Sequence, residues 1–304
     1  MKRAQIIDIL NAALKSGGDY SELFFEDTLS KALVLENGAV SKVQTSNIYG
    51  CGLRIFKKDK CVYGYTNDVS YENLIKLANK LKDSFEGNQT HEVTSLKTVR
   101  SKKINQPKVP FNSISLDRQI SLLKEAYKEA KEYDPRIVKV DVSYNYKTQN
   151  VVIYNSDGKI AKDSRTRGRC YIMAIAAKPG AMQTGGKGPG AQRGFDFFEE
   201  IDLKAIAKDA ARAAITMLDA EECPSGEMPV VIDNGFGGVI FHEACGHGLE
   251  ASSVSKNLSV FSGKKGQKVA SDIVNAYDDG TIDGAWGSGN FDDEGNKTRK
   301  NQLI

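Results

Sequence analysis

The feature that most constrains this chain is an internal repetition. Gly38, Val40, Lys42, Leu53 and Ile55 recur 120 positions later as Gly158, Ile160, Lys162, Met173 and Ile175. Both copies sit in the same local pattern, so one supersecondary unit used twice is the simplest architecture. In the first copy, apolar residues at helical spacing over about 4–15 precede LVLENGAVSKV, which reads as a hairpin around Asn37-Gly38. CGLRIF and CVYGYT continue the sheet with KKDK as the turn, and YENLIKLANKLK (71–82) returns to helical periodicity. In the second copy Ser115 reads as the N-cap of a helix that Asp134-Pro135 halts. Alternating residues follow, with turns expected at 148–150 and 155–158, and IDLKAIAKDAARAAITML (201–218) closes the half as a helix. Gly64-Tyr65 resembles Gly194-Phe195, now 130 positions on, so MQTGGKGPGAQ is an insertion in the second copy. The expectation is an α+β fold of two related helix/β-meander/helix halves, 1–96 and 114–222. A basic, aperiodic linker, 97–113, joins them, and a further region runs over 223–304.

Composition excludes several classes. A 304-residue chain with 27% charged residues is an ordinary globular sequence, and a net charge of +3 gives no concentrated basic surface for nucleic acid. No apolar stretch is long enough to span a membrane. The first residues read as an amphipathic helix and not a signal peptide, because Asp8 and Asn11 interrupt the apolar run. Cys51, Cys61, Cys170, Cys223 and Cys245 are odd in number and contain no C-x-x-C pair, which reads as reduced thiols. The expected location is therefore the cytoplasm.

The third region changes character. MPVVID reads as a short apolar strand, Asn234-Gly235 as a turn, and GVIFHEACGHGLEA as a buried helix. Two of the three histidines of the chain, His242 and His247, stand in that helix with Glu243 beside the first. In the zinc-peptidase pattern His-Glu-x-x-His the imidazoles are four apart and share a helix face. Here they are five apart, about 140° around a regular α-helix, too wide for both to reach one tetrahedral ion. A single π-type turn would absorb the extra residue, and Gly246 is of the type that permits distortion. Glu243 stands where zinc hydrolases keep the general base that takes a proton from water. The bland reading is a pair of hydrogen-bonded core histidines. Cys245 reads as a small buried hydrophobe.

PVVIDNGFGGVIFHEACGHGLEA, with MQTGGKGPGAQRGFDFFE upstream and GSGNFDDEG downstream, resembles the TldD branch of the TldD/PmbA family across essentially the whole chain. The resemblance implies a zinc metallopeptidase in which His242 and His247 are ligands and Glu243 the catalytic base. It implies hydrolysis of unfolded or flexible peptides held in extended form by strand addition. It also implies pairing as a homodimer, or as a heterodimer with a PmbA/TldE-like subunit that lacks the motif. Family members continue into a β-rich C-terminal region that supplies a third zinc ligand, a cysteine; this chain is expected to be a truncated form that stops at Ile304, short of it. The alternative is a catalytically silent fragment or interaction subunit of the same kind of dimer. GGKGPG (185–190) lacks the ending of a phosphate loop, and DDEG and DDG lack the spacing of a calcium loop. His91 reads as solvent-facing and Trp286 as an aromatic of a cleft-lining loop.

Overall fold

The structure is a computed structural model that describes residues 1–304, the Phe236 side chain excepted. It divides into two compact units, one of Met1–Ala220 with Gly280–Thr298 and one of Glu221–Asp279 with Arg299–Ile304. The first unit runs α1 (Arg3–Leu14), β1 (Tyr20–Glu36), β2 (Ala39–Lys57), β3 (Lys60–Thr66), α2 (Tyr71–Lys82) and a short β4 (Lys97–Thr98). It continues with α3 (Leu116–Lys131), β5 (Ile137–Asn155), β6 (Lys159–Lys178), β7 (Ala181–Lys187), β8 (Gly190–Ala191), α4 (Asp196–Glu200) and α5 (Leu203–Asp219). The order α1-β1-β2-β3-α2 therefore returns as α3-β5-β6-β7-α5.

The two copies share one sheet. Its order is β3-β2-β1-β5-β6-β4, with β7 and β8 also on β6, and β1 pairs antiparallel with β5 from Glu22↔Asn155 to Glu36↔Asp141. Both hairpin turns form where the sequence puts them. Asn37 and Gly38 have φ of 48° and 82°, the left-handed pair that a tight two-residue turn between twisted strands requires. The Gly158 amide donates to the Asn155 carbonyl at 3.0 Å to close the equivalent turn. The turn expected at 148–150 is absent. β5 runs straight through, because Gln149 is paired on both sides, to Thr28 and to Arg165, and a strand held by two ladders has no reason to reverse.

All helices of the repeat lie on one face. Leu23, Leu33 and Leu35 are alternate residues of β1 and are fully buried, Leu23 in the cluster under α1 and α2, Leu33 and Leu35 in the cluster under α3 and α5. Leu53 and Ile55 of β2 fill the first cluster; Val140, Val142, Tyr144, Cys170 and Ile172 fill the second. Burying each of the large side chains stabilises by about 1.5–3 kcal/mol. Ser70, Ser115 and Asp202 cap α2, α3 and α5 through their side-chain oxygens. The presumed linker contributes to the core as well, since Phe111 is buried and stacks on Tyr146 with ring centroids 4.7 Å apart.

The opposite face is covered by residues 280–298, which belong to the first compact unit. Phe291 is buried against Ile153 and Ala161, and the Arg54 guanidinium bridges Glu22 at 2.9 Å and Glu294 at 2.7 Å. Burial raises the pKa of Glu22, with the Arg54 charge opposing the shift. In the second unit, β9 (Tyr277–Asp279) pairs with β10 (Lys300–Gln302). The strand expected at MPVVID does not form. Among the described residues nothing pairs with it, and Val230 and Val231 are 72% and 99% exposed; an apolar run without a ladder partner does not make a strand.

The alanine-rich face of α5 lets β7 approach it backbone to backbone at Gly185, where a Cβ would overlap the Ala210 carbonyl and the Ala214 amide. Gly185→Ala is expected to destabilise the fold by about 1–3 kcal/mol in urea denaturation, the cost of overpacking. Gly287→Ala, with nothing within 4 Å of its Cβ, serves as the neutral comparison.

Candidate metal centre

The second unit carries the histidine pair on a deformed helix. A 3₁₀ turn (Gly235–Gly238) leads into α6 (Val239–Phe241), then a π turn (His242–Gly246), a second 3₁₀ turn (His247–Leu249) and α7 (Ala251–Val254). The His247 amide donates to the His242 carbonyl, the i→i+5 bond that defines a π turn. This single bond corrects the spacing. A residue five positions on returns to lie over the first, and the two imidazoles face each other edge to face with centroids 4.5 Å apart and planes at 70°.

Glu243 joins the same cluster. One ligand atom from each of His242, Glu243 and His247 lies within 4.8 Å of the others. Neighbouring ligands of tetrahedral zinc sit ~3.4 Å apart, so a small rotation of the side chains would bring both imidazoles onto one ion with the Glu243 carboxylate beside it. The donor chemistry fits zinc: two imidazoles on one turn, with a carboxylate beside them. His247 is further prepared by a residue that the sequence reading passed over. Its Nδ1 lies 2.7 Å from Glu250 Oε1. A carboxylate only accepts, so Nδ1 carries the hydrogen in this contact. Glu243 Oε2 lies 3.5 Å from the His247 Nε2. The hydrogen bond to Glu250 raises the pKa of His247, with Glu250 and Glu243 adding charge in the same direction. Glu250 could have been found from its position three residues after His247, one turn along the same face.

Two expectations change. The helix was expected to be buried, yet the His247, Glu243 and Glu250 side chains are each more than half exposed. Gly246 is not the source of the distortion either. It has φ −56° and ψ −52°, ordinary right-handed values, and a Cβ there would rest 3.6 Å from the His242 ring. The π turn is therefore compatible with any residue that tolerates a helix. Cys245 is half-buried with a free thiol and stands outside the cluster; His91 is exposed in the first unit, beside Thr90.

Comparison with known proteins gives this geometry a context. Three domain descriptions match in order: PmbA/TldA metallopeptidase domain 1 over residues 21–84, the central domain over 109–218 and the C-terminal domain over 225–304. A metalloprotease TldD homolog of Haemophilus influenzae is 32% identical over 94% of this chain and 61% of its own length. A metalloprotease of Methanocaldococcus jannaschii is 29% identical over 94% of this chain and 64% of its own. The chain thus spans about three fifths of the length of these curated relatives. Among solved structures, a Thermotoga maritima protein described as a candidate modulator of a DNA gyrase superposes with a TM-score of 0.81 at 22% identity, covering 99% of this chain and 68% of that one. TldE from Thermococcus kodakarensis superposes with a TM-score of 0.73 at 18% identity, covering 99% and 67%. At those identities the superpositions establish the α+β fold. The three domain matches, in order along the chain, together with the alignment of 94% of the chain to the curated relatives, make it a member of the TldD/PmbA family of metallopeptidases.

Proposed function

We propose that this chain carries the zinc-binding and general-base residues of a peptidase that hydrolyses unfolded or flexible peptides. The observation that supports it most is the π turn, because a five-residue spacing has no metal chemistry without it and a two-ligand cluster with it. His242 and His247 would be two of three protein ligands, each offering a neutral ring nitrogen. Zinc bound there supplies a Lewis acid that polarises a peptide carbonyl and acidifies water. The chain's own residues do the rest. Glu250 fixes the tautomer of His247 and keeps its Nε2 basic. Glu243, one position after the first ligand, accepts the proton of the attacking water and returns it to the leaving amine. Its open position, 63% exposed, leaves room for an extended substrate above the carboxylate.

Assembly as a homodimer, or as a heterodimer with a PmbA/TldE-like subunit, belongs to the same proposal and is supported by the likeness in fold to TldE. So does a cytoplasmic location; no helix among the described residues is long and apolar enough to cross a membrane.

Metal analysis of the purified chain tests the proposal. Zinc is expected near one equivalent, lost in His242→Ala with the far-ultraviolet circular dichroism unchanged. A folded protein that takes up no zinc would point to the silent interaction subunit instead. Glu243→Gln is expected to keep the metal and to abolish hydrolysis in the assembled enzyme, a loss of about 10²–10⁴-fold. Glu250→Gln is expected to weaken zinc binding by about 10–100-fold in competition with a chelating dye, while Glu250→Asp recovers part of it.

A further inference from the structure

The face of the sheet away from the helices carries a second concentration of chemistry, in the first unit. β6 presents Arg165, Arg167 and Arg169 there at alternate positions. Arg165 is matched by acids, with Asp293 at 2.8 Å and Asp163 at 3.4 Å. Arg167 and Arg169 have no acidic partner among the described residues. What they share is the ring of Trp286, whose centroid lies 5.4 Å from the Arg167 guanidinium carbon and 4.2 Å from that of Arg169. The strand register then puts a third cation, Lys147, directly opposite Arg167, and Ser30 opposite Lys147.

Like charges directly opposite each other across a ladder destabilise a sheet. Here the arrangement is also half-buried. Desolvation, followed by the neighbouring arginine charge, lowers the pKa of both Lys147 and Arg167. Stacking on Trp286 offsets part of this cost but leaves the N–H groups of both guanidinium forks free to donate. Ser30, Lys147, Arg167 and Trp286 line one side of an open trough of about 440 Å³, large enough for a short peptide side chain and its backbone.

We propose that this trough binds a carboxylate carried on a peptide, with Arg167 and Lys147 as the charge partners and Trp286 as the wall against which the chain lies. A single carboxylate fits better than a polyphosphate, because acids flank the cations. Glu26, held by Thr28 and Gln149, and Asp293 on Arg165 both act on Lys147 and would repel an extended polyanion. The choice of a peptide as carrier rests on the peptidase reading; the anion site itself rests on this face alone. The carboxylate could belong to an acidic side chain or to a chain terminus.

Trp286 is the single tryptophan of the chain, so its fluorescence reports on the trough directly. The chain would be titrated with N-acetyl-tetraglutamate amide, with N-acetyl-tetraalanine bearing a free terminal carboxyl, with N-acetyl-tetralysine amide, and with a thymidine oligonucleotide. A saturable change is expected with the tetraglutamate, which assigns the site to acidic side chains, or with the tetraalanine, which assigns it to a terminus. Binding is expected to weaken roughly tenfold or more in the Lys147→Gln/Arg167→Gln double variant. His242→Ala should bind as the parent chain does, so the zinc site can fail while this one stands. Relief of the like-charge pair should also raise the melting temperature of Lys147→Gln. The proposal is overturned if neither acidic probe changes the fluorescence, if the tetralysine matches them, or if the oligonucleotide binds more tightly. Unchanged binding by the double variant, or a lower melting temperature for Lys147→Gln, would overturn it equally.

Discussion

The β1–β5 ladder is the constraint on which the first unit depends. Two copies of a helix, meander and helix unit each have one apolar sheet face and one edge to satisfy. Pairing Glu22 to Glu36 of one copy with Asn155 to Asp141 of the other removes an edge from both and continues a single apolar face across the seam. The register is fixed tightly, since a shift by one residue would turn Leu23, Leu33 and Leu35 out of the two helix-covered clusters together. It also determines the other face. The β1–β5 alignment that buries those leucines sets Ser30 opposite Lys147, and the adjoining β5–β6 ladder sets Lys147 opposite Arg167, so the cost of the cation pair is built into the sheet that holds the fold.

How much of this was legible in the sequence follows from the range of each interaction. Asn37-Gly38 and Ser115 are local signals, a turn that needs left-handed φ and a cap that needs a hydroxyl, and both elements form where those residues stand. The 120-residue recurrence was legible at the hairpin turn, where Gly38 and Gly158 both stand at left-handed φ. Pairings across the sheet leave no such trace. Nothing near Thr148 or Asn150 announces that neighbours on both sides will hold the chain extended, so a polar stretch read as a turn. The same blindness worked in reverse at MPVVID, where a short apolar run predicted a strand and no ladder partner is present among the described residues. Phe111 sits in a segment rich in prolines and lysines, yet its ring is buried against Tyr146, a contact that local composition cannot announce.

The candidate metal centre shows a mixed case. The spacing of His242 and His247 posed a geometric problem with one economical solution, and the i→i+5 bond between them is that solution. The reason first offered for it, a glycine that bends the backbone, does not hold: Gly246 is an ordinary helical residue. The distortion instead comes from how the short helix is assembled, with 3₁₀ turns at both ends and a π turn between, a sequence of tight, wide and tight windings that no single residue dictates. Glu250 completes the site from just past the last of these windings, where its backbone turns extended while its carboxylate reaches back to Nδ1 of His247.

Both candidate sites stand out as places where local rules are broken without structural return. A π turn gives up regular hydrogen bonding, and its π and 3₁₀ residues bury none of their side chains in exchange. A lysine facing an arginine inside a half-buried row forfeits stability that a glutamine would keep. Elsewhere the first unit follows the ordinary rules closely, with capped helices, alternating strands and charges such as Arg54 answered on both sides. Sequences that satisfy every level of structure except at one or two places tend to carry their function at those places. By that reasoning the imidazole pair and the arginine row are the candidate working sites of their respective units, and the arginine row is the one that the family resemblance alone would not have indicated.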